Sequence, residues 1–256
     1  MSEHIVVERG QGVMTLRINR PDKRNALTNA MYDALSDGLD AALDPDVRTV
    51  VITGGNGIFT SGNDVADFLA MPPANGELFP VERFLRTISS FPKPLIAAVP
   101  GMAVGVGTTM LLHCDLVYAS EDASFQLPFV NIGLVPEAAS SLLLPQRVGL
   151  ARAAEMFYFG DALDAREAER LGIVNKVVPA GDLDAFVRAR AEALVRQPPS
   201  ALRETKRLLR HAASVTVPER LSEEAEVFMV ALRSPEAVEA MSAFMEKRKP
   251  DFSRFT

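Results

Sequence analysis

Two short segments carry the chemistry most open to use in this chain, Ser61-Gly62-Asn63-Asp64 and Gly105-Val106-Gly107. Each follows an apolar run that reads as a strand and precedes a run that reads as a helix. The first N–H groups of a helix have no intrahelical acceptor and sit at the positive end of its dipole, so such a turn can hold an anion or a carbonyl oxygen gaining charge. If the fold brings the two turns together, the N–H groups of Asn63 and Val106 point at one oxygen and stabilise an enolate. Glycines at a strand-to-helix turn also serve close packing alone, and for Gly105 and Gly107 the sequence leaves both readings open.

Other chemistries are poorly supplied. There is no Gly-x-Ser-x-Gly elbow, and His113 lies in the apolar run Met110–Cys114, where it reads as a packed core histidine. The stretch Gly105-Val106-Gly107-Thr108-Thr109-Met110 has Met in place of the third glycine of a dinucleotide fingerprint, and Asp115 follows too soon to hold a ribose. Three histidines and the single Cys114 give no zinc spacing and no internal disulfide, so no metal is expected. A net charge of −6 and a pI near 5.2 argue against nucleic acid or an anionic membrane as the main partner. The start Met1-Ser2-Glu3-His4 shows no targeting pattern and no 18-residue apolar run occurs, so a soluble cytoplasmic protein is expected.

The 256 residues, 48% hydrophobic, suffice for a sizeable core. Ile5, Val7, Val13, Leu16 and Ile18 alternate around Gly10-Gln11-Gly12 as a hairpin, and Thr28 caps a helix that carries Met31, Leu35, Leu39, Ala42 and Leu43 on one face. A strand at 49–53 and a turn at 54–57 lead to 58–69, extended and then helical after Asp64. The loop Pro72–Gly76 and a helix at 77–91 precede Pro94–Met110, read as strand, glycine turn and helix. A strand at 115–119, helices from Pro136 to Val148 and at 151–159, and a strand at 172–177 complete an α/β pattern with mainly parallel strands. From Asp182 the chain is helical to about Lys249, broken at Pro198-Pro199, Pro218 and Pro235. A boundary near 197 separates a core, 1–197, from a C-terminal region, 198–256. The faces Val227, Phe228, Val230, Ala231 and Val238, Met241, Phe244, Met245 need a second subunit to cover them.

Arg20-Pro21 with Asn25-Ala26-Leu27, then Phe59–Asp64, then Phe244–Pro250, occur in an order that resembles the crotonase superfamily, the enoyl-CoA hydratase and isomerase family, over essentially the whole length. The resemblance implies a spiral of β-β-α units with a C-terminal helical region that trimerises, two trimers commonly stacking into a hexamer. It makes Asn63 and Val106 a thioester oxyanion hole. Coenzyme A, part of the substrate rather than a separate cofactor, would bend over Lys23, Arg24, Asn25, Ala26 and Leu27 and over Ser61, Gly62 and Asp64, with Gly105 beside the thioester. Lys247 would approach its phosphates, although Lys247-Arg248-Lys249 also reads as a solvated helix end.

Hydratases of this family carry two glutamates, and the corresponding positions here are Thr109 and Phe129. Neither titrates near working pH, so ordinary hydration is not expected. Pro136-Glu137-Ala138-Ala139-Ser140-Ser141 instead resembles the P-E-G-x-S-S element of peroxisomal-type 3,2-trans-enoyl-CoA isomerases, in which that glutamate is the single acid and base; Ala138 departs from the usual glycine. The resemblance leaves two other readings: a different enolate reaction on a CoA thioester, or a non-catalytic module binding acyl-CoA or acyl-lysine. Taken alone, Glu137 is an acid in the first turn after Pro136, where the helix dipole lowers its pKa and an apolar wall such as Phe129 raises it.

Overall fold

A computed structural model describes residues 2–64, 66–67, 79–210, 230 and 234–255 of the chain. The expected hairpin is present, with β1 (Ile5–Gly10) and β2 (Val13–Ile18) antiparallel about Gln11 and Gly12, both at positive φ. Its alternation differs in part: Ile5, Met14, Leu16 and Ile18 are buried, whereas Val7 is exposed and Val13 half-buried. β1 is an edge strand, which leaves Val7 outside, while Val13 packs partly buried against the cluster on the sheet's other face.

β2 then pairs in parallel with β3 (Thr49–Gly54), β3 with β4 (Leu95–Val99), β4 with β6 (Leu116–Ser120) and β6 with β9 (Lys176–Val178), giving the order β1-β2-β3-β4-β6-β9. β3 and β4 are buried throughout, because both faces of the sheet are covered. One face meets α1 (Asn29–Ala41) and α2 (Pro80–Ser90) in the main core. The other packs Val51, Ile96, Ala98 and Tyr118 against Leu183, Val187 and Ala191 of α7 (Leu183–Val195). Thr28 caps α1 by accepting from the Met31 N–H at 3.3 Å; the helix ends at Ala41, so Leu43 is turned out to solvent. The loop Pro72–Gly76 and the start of the expected 77–91 helix lie outside the described residues.

Pro94–Met110 is not a single strand–turn–helix. The chain leaves β4, turns at Pro100-Gly101 and lays down β5 (Met102–Val104) before α3 (Val106–Thr109) and a 3-10 turn at Met110–His113. β5 belongs to a second, small sheet with β7 (Ser124–Gln126) and β8 (Leu163–Asp164). The apolar run continues through both strands, so periodicity conceals the break. Gly101 permits it: a Cβ there would lie 1.9 Å from the Gly57 carbonyl oxygen.

The helix expected from Pro136 begins later, as α4 (Ser140–Val148), because Ala138 and Ala139 are left-handed, with φ of 53° and 54°. α5 (Leu150–Phe159) and α6 (Ala165–Arg170) follow, and α7 leads to α8 (Pro199–Arg210) and α9 (Pro235–Met245). Pro199 opens α8 and Pro235 opens α9, as expected, while Pro218 and the face at Val227, Phe228 and Ala231 lie outside the described residues. So do the side chains of Phe244 and Met245, and Val230, Val238 and Met241 are exposed. α8 docks through the buried Lys206, whose Nζ donates to Asp115 at 2.7 Å and to the Lys93 carbonyl at 2.6 Å.

Gly101→Ala is expected to lower unfolding stability by about 1–3 kcal/mol, the usual cost of forcing an atom into a filled site. Urea denaturation checks this, and an unchanged midpoint would show that the β4–β5 crossing tolerates a side chain.

Candidate active site

Residues 59–63 lie between two partners. On one side Thr60 bridges Ala103 in parallel, the Thr60 N–H donating to the Met102 carbonyl at 3.1 Å and the Val104 N–H to the Thr60 carbonyl at 3.0 Å. On the other, Asn63 bridges Leu27: the Leu27 N–H donates to the Gly62 carbonyl and the Asp64 N–H to the Leu27 carbonyl, both at 2.8 Å. Asn63 and Val106 therefore each stand three residues beyond the bridged pair Thr60 and Ala103, at the same end of the two parallel segments. The peptide unit is planar and trans, so a Gly62 carbonyl turned to Leu27 sends the Asn63 N–H the opposite way, toward the start of α3. Neither the Asn63 nor the Val106 N–H has an acceptor among the described residues.

Two glycines allow the close approach. A Cβ on Gly62, whose φ is +95°, would lie 3.0 Å from the Val104 carbonyl oxygen, and one on Gly107 would lie 2.5 Å from Thr60 Cγ2. Gly105, with φ 56° and ψ −119°, turns the chain into α3, and its own N–H is held by the Gln126 carbonyl at 2.9 Å.

The loop at 20–27 braces this arrangement. Asn25 is fully buried; its Nδ2 donates to the Ile58 carbonyl at 2.8 Å and its Oδ1 accepts from the Arg20 N–H at 2.7 Å. Thr60 Oγ1 donates to the Asn25 carbonyl at 2.6 Å and accepts from the Gly62 N–H at 3.1 Å. Arg20 donates to Asp64 at 2.6 Å and to the Ala26 carbonyl at 3.1 Å, and its guanidinium holds the Asp64 carboxyl below the ordinary range. The side chain of Asn25 thus serves the loop itself, and that of Leu27 is buried in the core. Lys23 and Arg24 are exposed, while Ala26 and Ser61 are half-buried.

Glu137 is reached from the other side. Thr109, one helical turn beyond Val106, donates its hydroxyl to Glu137 Oε1. The loop bearing Glu137 is held by its own carbonyl, which accepts from Ser140 Oγ at 2.6 Å and from the Ser140 N–H at 2.9 Å. His113 Nε2 lies 2.8 Å from the Ala138 carbonyl, so Nε2 carries the hydrogen; the ring is buried, which pushes its pKa down and keeps it neutral. The left-handed Ala138 and Ala139 place Glu137 ahead of α4 rather than in its first turn, so the expected dipole effect gives way to burial. Glu137 is half-buried, and the protein around it raises its carboxyl above the ordinary glutamate value, the Thr109 hydrogen bond acting in the opposite sense. Phe129 is buried with its ring 6.4 Å from that of Phe157, and its carbonyl accepts from the Leu134 N–H at 2.8 Å, bracing the loop that leads to Glu137.

Lys247 is not brought to these loops within its own chain. It is exposed, in a segment anchored where Arg48 donates to the Phe255 carbonyl at 2.7 Å and Ser200 Oγ donates to Glu236 at 2.5 Å. Arg48 immediately precedes β3, at the end of the parallel strands opposite Asn63. Two residues of the site do not stand out as functional in the sequence. Thr109 reads there only as a lost acid, although its spacing from Val106 puts it on the same turn; Tyr32, whose hydroxyl donates to Asn63 Oδ1, is hidden inside an apolar helix face. Among the described residues no group of three or more His, Cys, Asp or Glu could hold a metal, and no helix is long and apolar enough to cross a membrane.

Two backbone N–H groups without acceptors among the described residues, and a partly buried carboxylate one helical turn beyond one of them, form the candidate site. A model of the family "Enoyl-CoA hydratase/isomerase" matches residues 8–254. "Enoyl-CoA delta isomerase 2" of Rattus norvegicus is 36% identical over 97% of this chain, which spans 65% of the rat protein's length. "2,3-dehydroadipyl-CoA hydratase" of Escherichia coli K12 is 35% identical over 98% of this chain and 99% of its own. Among solved structures, an enoyl-CoA hydratase/isomerase of Pseudoalteromonas atlantica T6c superimposes with a TM-score of 0.80 at 42% identity, covering 98% of this chain and 100% of that one. An enoyl-CoA hydratase of Bacillus anthracis gives a TM-score of 0.91 at 28% identity, covering 98% and 99%. The chain belongs to the enoyl-CoA hydratase/isomerase family, has its crotonase fold, and is an acyl-CoA enzyme.

A carboxyl whose pKa is raised by folding costs stability when ionised. The cost is absent below the ordinary value of 4.5 and complete above the folded-state pKa. Glu137→Gln is therefore expected to raise unfolding stability near neutral pH, with the advantage closing as the pH falls below 4.5. Urea midpoints measured at both ends of that range check the sign; a less stable variant near neutral pH would contradict it.

Proposed function

We propose that the protein moves the double bond of a 3-enoyl-CoA to give the trans-2-enoyl-CoA, with Glu137 as the only acid and base. The observation that carries this reading is the Thr109 hydroxyl on Glu137: this carboxyl stands beside the oxyanion loops, Asp64 in the loop itself is tied to Arg20, and Thr109, where hydratases place a second acid, cannot titrate. The thioester oxygen accepts from the Asn63 and Val106 N–H groups. The Glu137 carboxylate takes a proton from the α carbon, and the C–H electron pair passes into an enolate whose charge those two donors receive. The carboxylic acid so formed returns the proton to the γ carbon, the double bond settles between the α and β carbons, and no water or co-reactant is consumed. A raised pKa suits the first half of this shuttle, making Glu137 a stronger base than an ordinary glutamate.

Lys23 and Arg24, exposed at the rim of the paired loops, suit the phosphates of coenzyme A, with Ala26, Ser61, Gly62 and Gly105 along its path. Glu137→Gln retains size and hydrogen bonding but removes the base. It is expected to bind acyl-CoA as the parent does and to lose isomerisation by about 10²–10⁴. The parent is expected not to hydrate crotonyl-CoA efficiently. Turnover of crotonyl-CoA at about 10 per second, a rate typical of enzymes, or full isomerase activity in the variant, would refute the assignment.

The same reading includes a homotrimer or a dimer of trimers. Val130, Ile132, Leu134, Val135 and Leu142, around the Glu137 loop, are exposed, as are Leu150, Tyr158 and Phe159 of α5. A second copy is the natural cover for so large an apolar area, and a neighbouring C-terminal segment would bring Lys247 toward a site that its own chain does not reach. Light scattering at micromolar concentration is expected to give three or six chains, and a monomer would refute the assembly.

A further inference from the structure

Asn63 presents its N–H to the site, but its backbone is bonded only on the far side, through the Gly62 carbonyl and the Asp64 N–H on Leu27. Gly62, at φ +95° and without a side chain, adds no side-chain contact of its own to hold the connecting peptide from the site side. The side chain of Asn63 is the remaining handle. It is gripped by Tyr32, whose hydroxyl donates to Asn63 Oδ1 from a side chain only 2% exposed. The Tyr32 ring is fixed in turn by Phe84 of α2, centroids 5.6 Å apart and inclined at 41°. Its helix starts two residues after Leu27, the residue that pairs with Asn63.

We propose that Tyr32 is a positioning residue, its buried hydroxyl holding the Asn63 side chain so that the Asn63 N–H stays aimed at the thioester oxygen. The phenol is a dependable donor in this place, because burial, and then the nearby charge of Glu137, push its pKa up and keep it protonated wherever Glu137 is ionised. A purely structural tyrosine would explain the ring on Phe84 but not a buried hydroxyl committed to one of the two residues whose N–H groups face the substrate.

The proposal rests on the oxyanion role of Asn63 but not on isomerisation, and its test reads both. Tyr32→Phe keeps the ring on Phe84 and removes only the hydroxyl. Asn63→Ala keeps the backbone N–H and removes only the handle. With a carbonyl-labelled saturated acyl-CoA bound, difference infrared spectroscopy reports how strongly the two N–H groups polarise the C=O bond. Tyr32→Phe is expected to reduce the downshift of the carbonyl band. On a 3-enoyl-CoA it is expected to lower kcat about tenfold with KM within about twofold, a fraction of the 10²–10³ that follows loss of a whole oxyanion donor. In the Asn63→Ala background, which should already show the same deficits, Tyr32→Phe is expected to add nothing.

The proposal is overturned if Tyr32→Phe leaves the band where the parent has it, or if its effect is equally large with Asn63 truncated. A carbonyl shift that depends on Tyr32 in a protein that moves no double bond supports this inference and refutes the isomerase reading. Isomerisation that persists with a Tyr32-independent shift does the reverse.

Discussion

The site depends on one packing contact, the passage of residues 59–63 between Leu27 and β5. Two parallel bridges, Leu27 with Asn63 and Thr60 with Ala103, set the register of both loops at once. Glycine is required on each side of the contact, since side chains at Gly62 and Gly107 would strike the Val104 carbonyl and Thr60. The placement of the Asn63 and Val106 N–H groups is thus a product of main-chain register more than of any side chain. A slip of one residue in either bridge would turn a donor away.

Electrostatics serve a different end of the molecule. Asp115, at the entrance to β6, receives Lys206 and Arg210 from α8 and also caps the Leu95 N–H at the start of β4. Breaking such a buried pair leaves an unpaired charge, which costs far more than the pair contributes, so it acts as a lock on where α8 docks. The desolvated Lys206, whose burial lowers its pKa, and Cys114, pushed up to about 12 by burial, belong to this anchor and not to the chemistry. The protein keeps its charge-rich joint at one end of the parallel strands and its weakly partnered carboxylate near the other.

Much of this is legible in the residues. The two glycine turns, the Thr28 cap and the hairpin follow from local chemistry, and motifs in order single out Asn63, Val106 and Glu137 as candidates. What is not legible is set by distant contacts. The β4–β5 crossing at Pro100-Gly101 does not declare a second sheet locally, because the contact that shapes it, Gly57 against Gly101, lies more than forty residues upstream. α4 starts later than its proline suggests because two alanines adopt a conformation that L-residues rarely take, here held by His113 on the Ala138 carbonyl. Tyr32 looks like core because its ring is core; only its last atom is not.

The long separations in sequence that build the site have a kinetic consequence. Asn25 reaches Ile58 across 33 residues, Arg20 reaches Asp64 across 44, and Thr109 reaches Glu137 across 28. Each such pairing loses loop-closure entropy before it gains any contact, and the β3–β4 and β6–β9 pairings of the main sheet span as much chain, so sheet and site are expected to form together. A chain with only its local β1–β2 hairpin formed would have none of these contacts. Thioester binding is therefore reserved to the finished fold, and by mass action a bound acyl-CoA draws late intermediates toward it, as a template that the enzyme recognises only when complete.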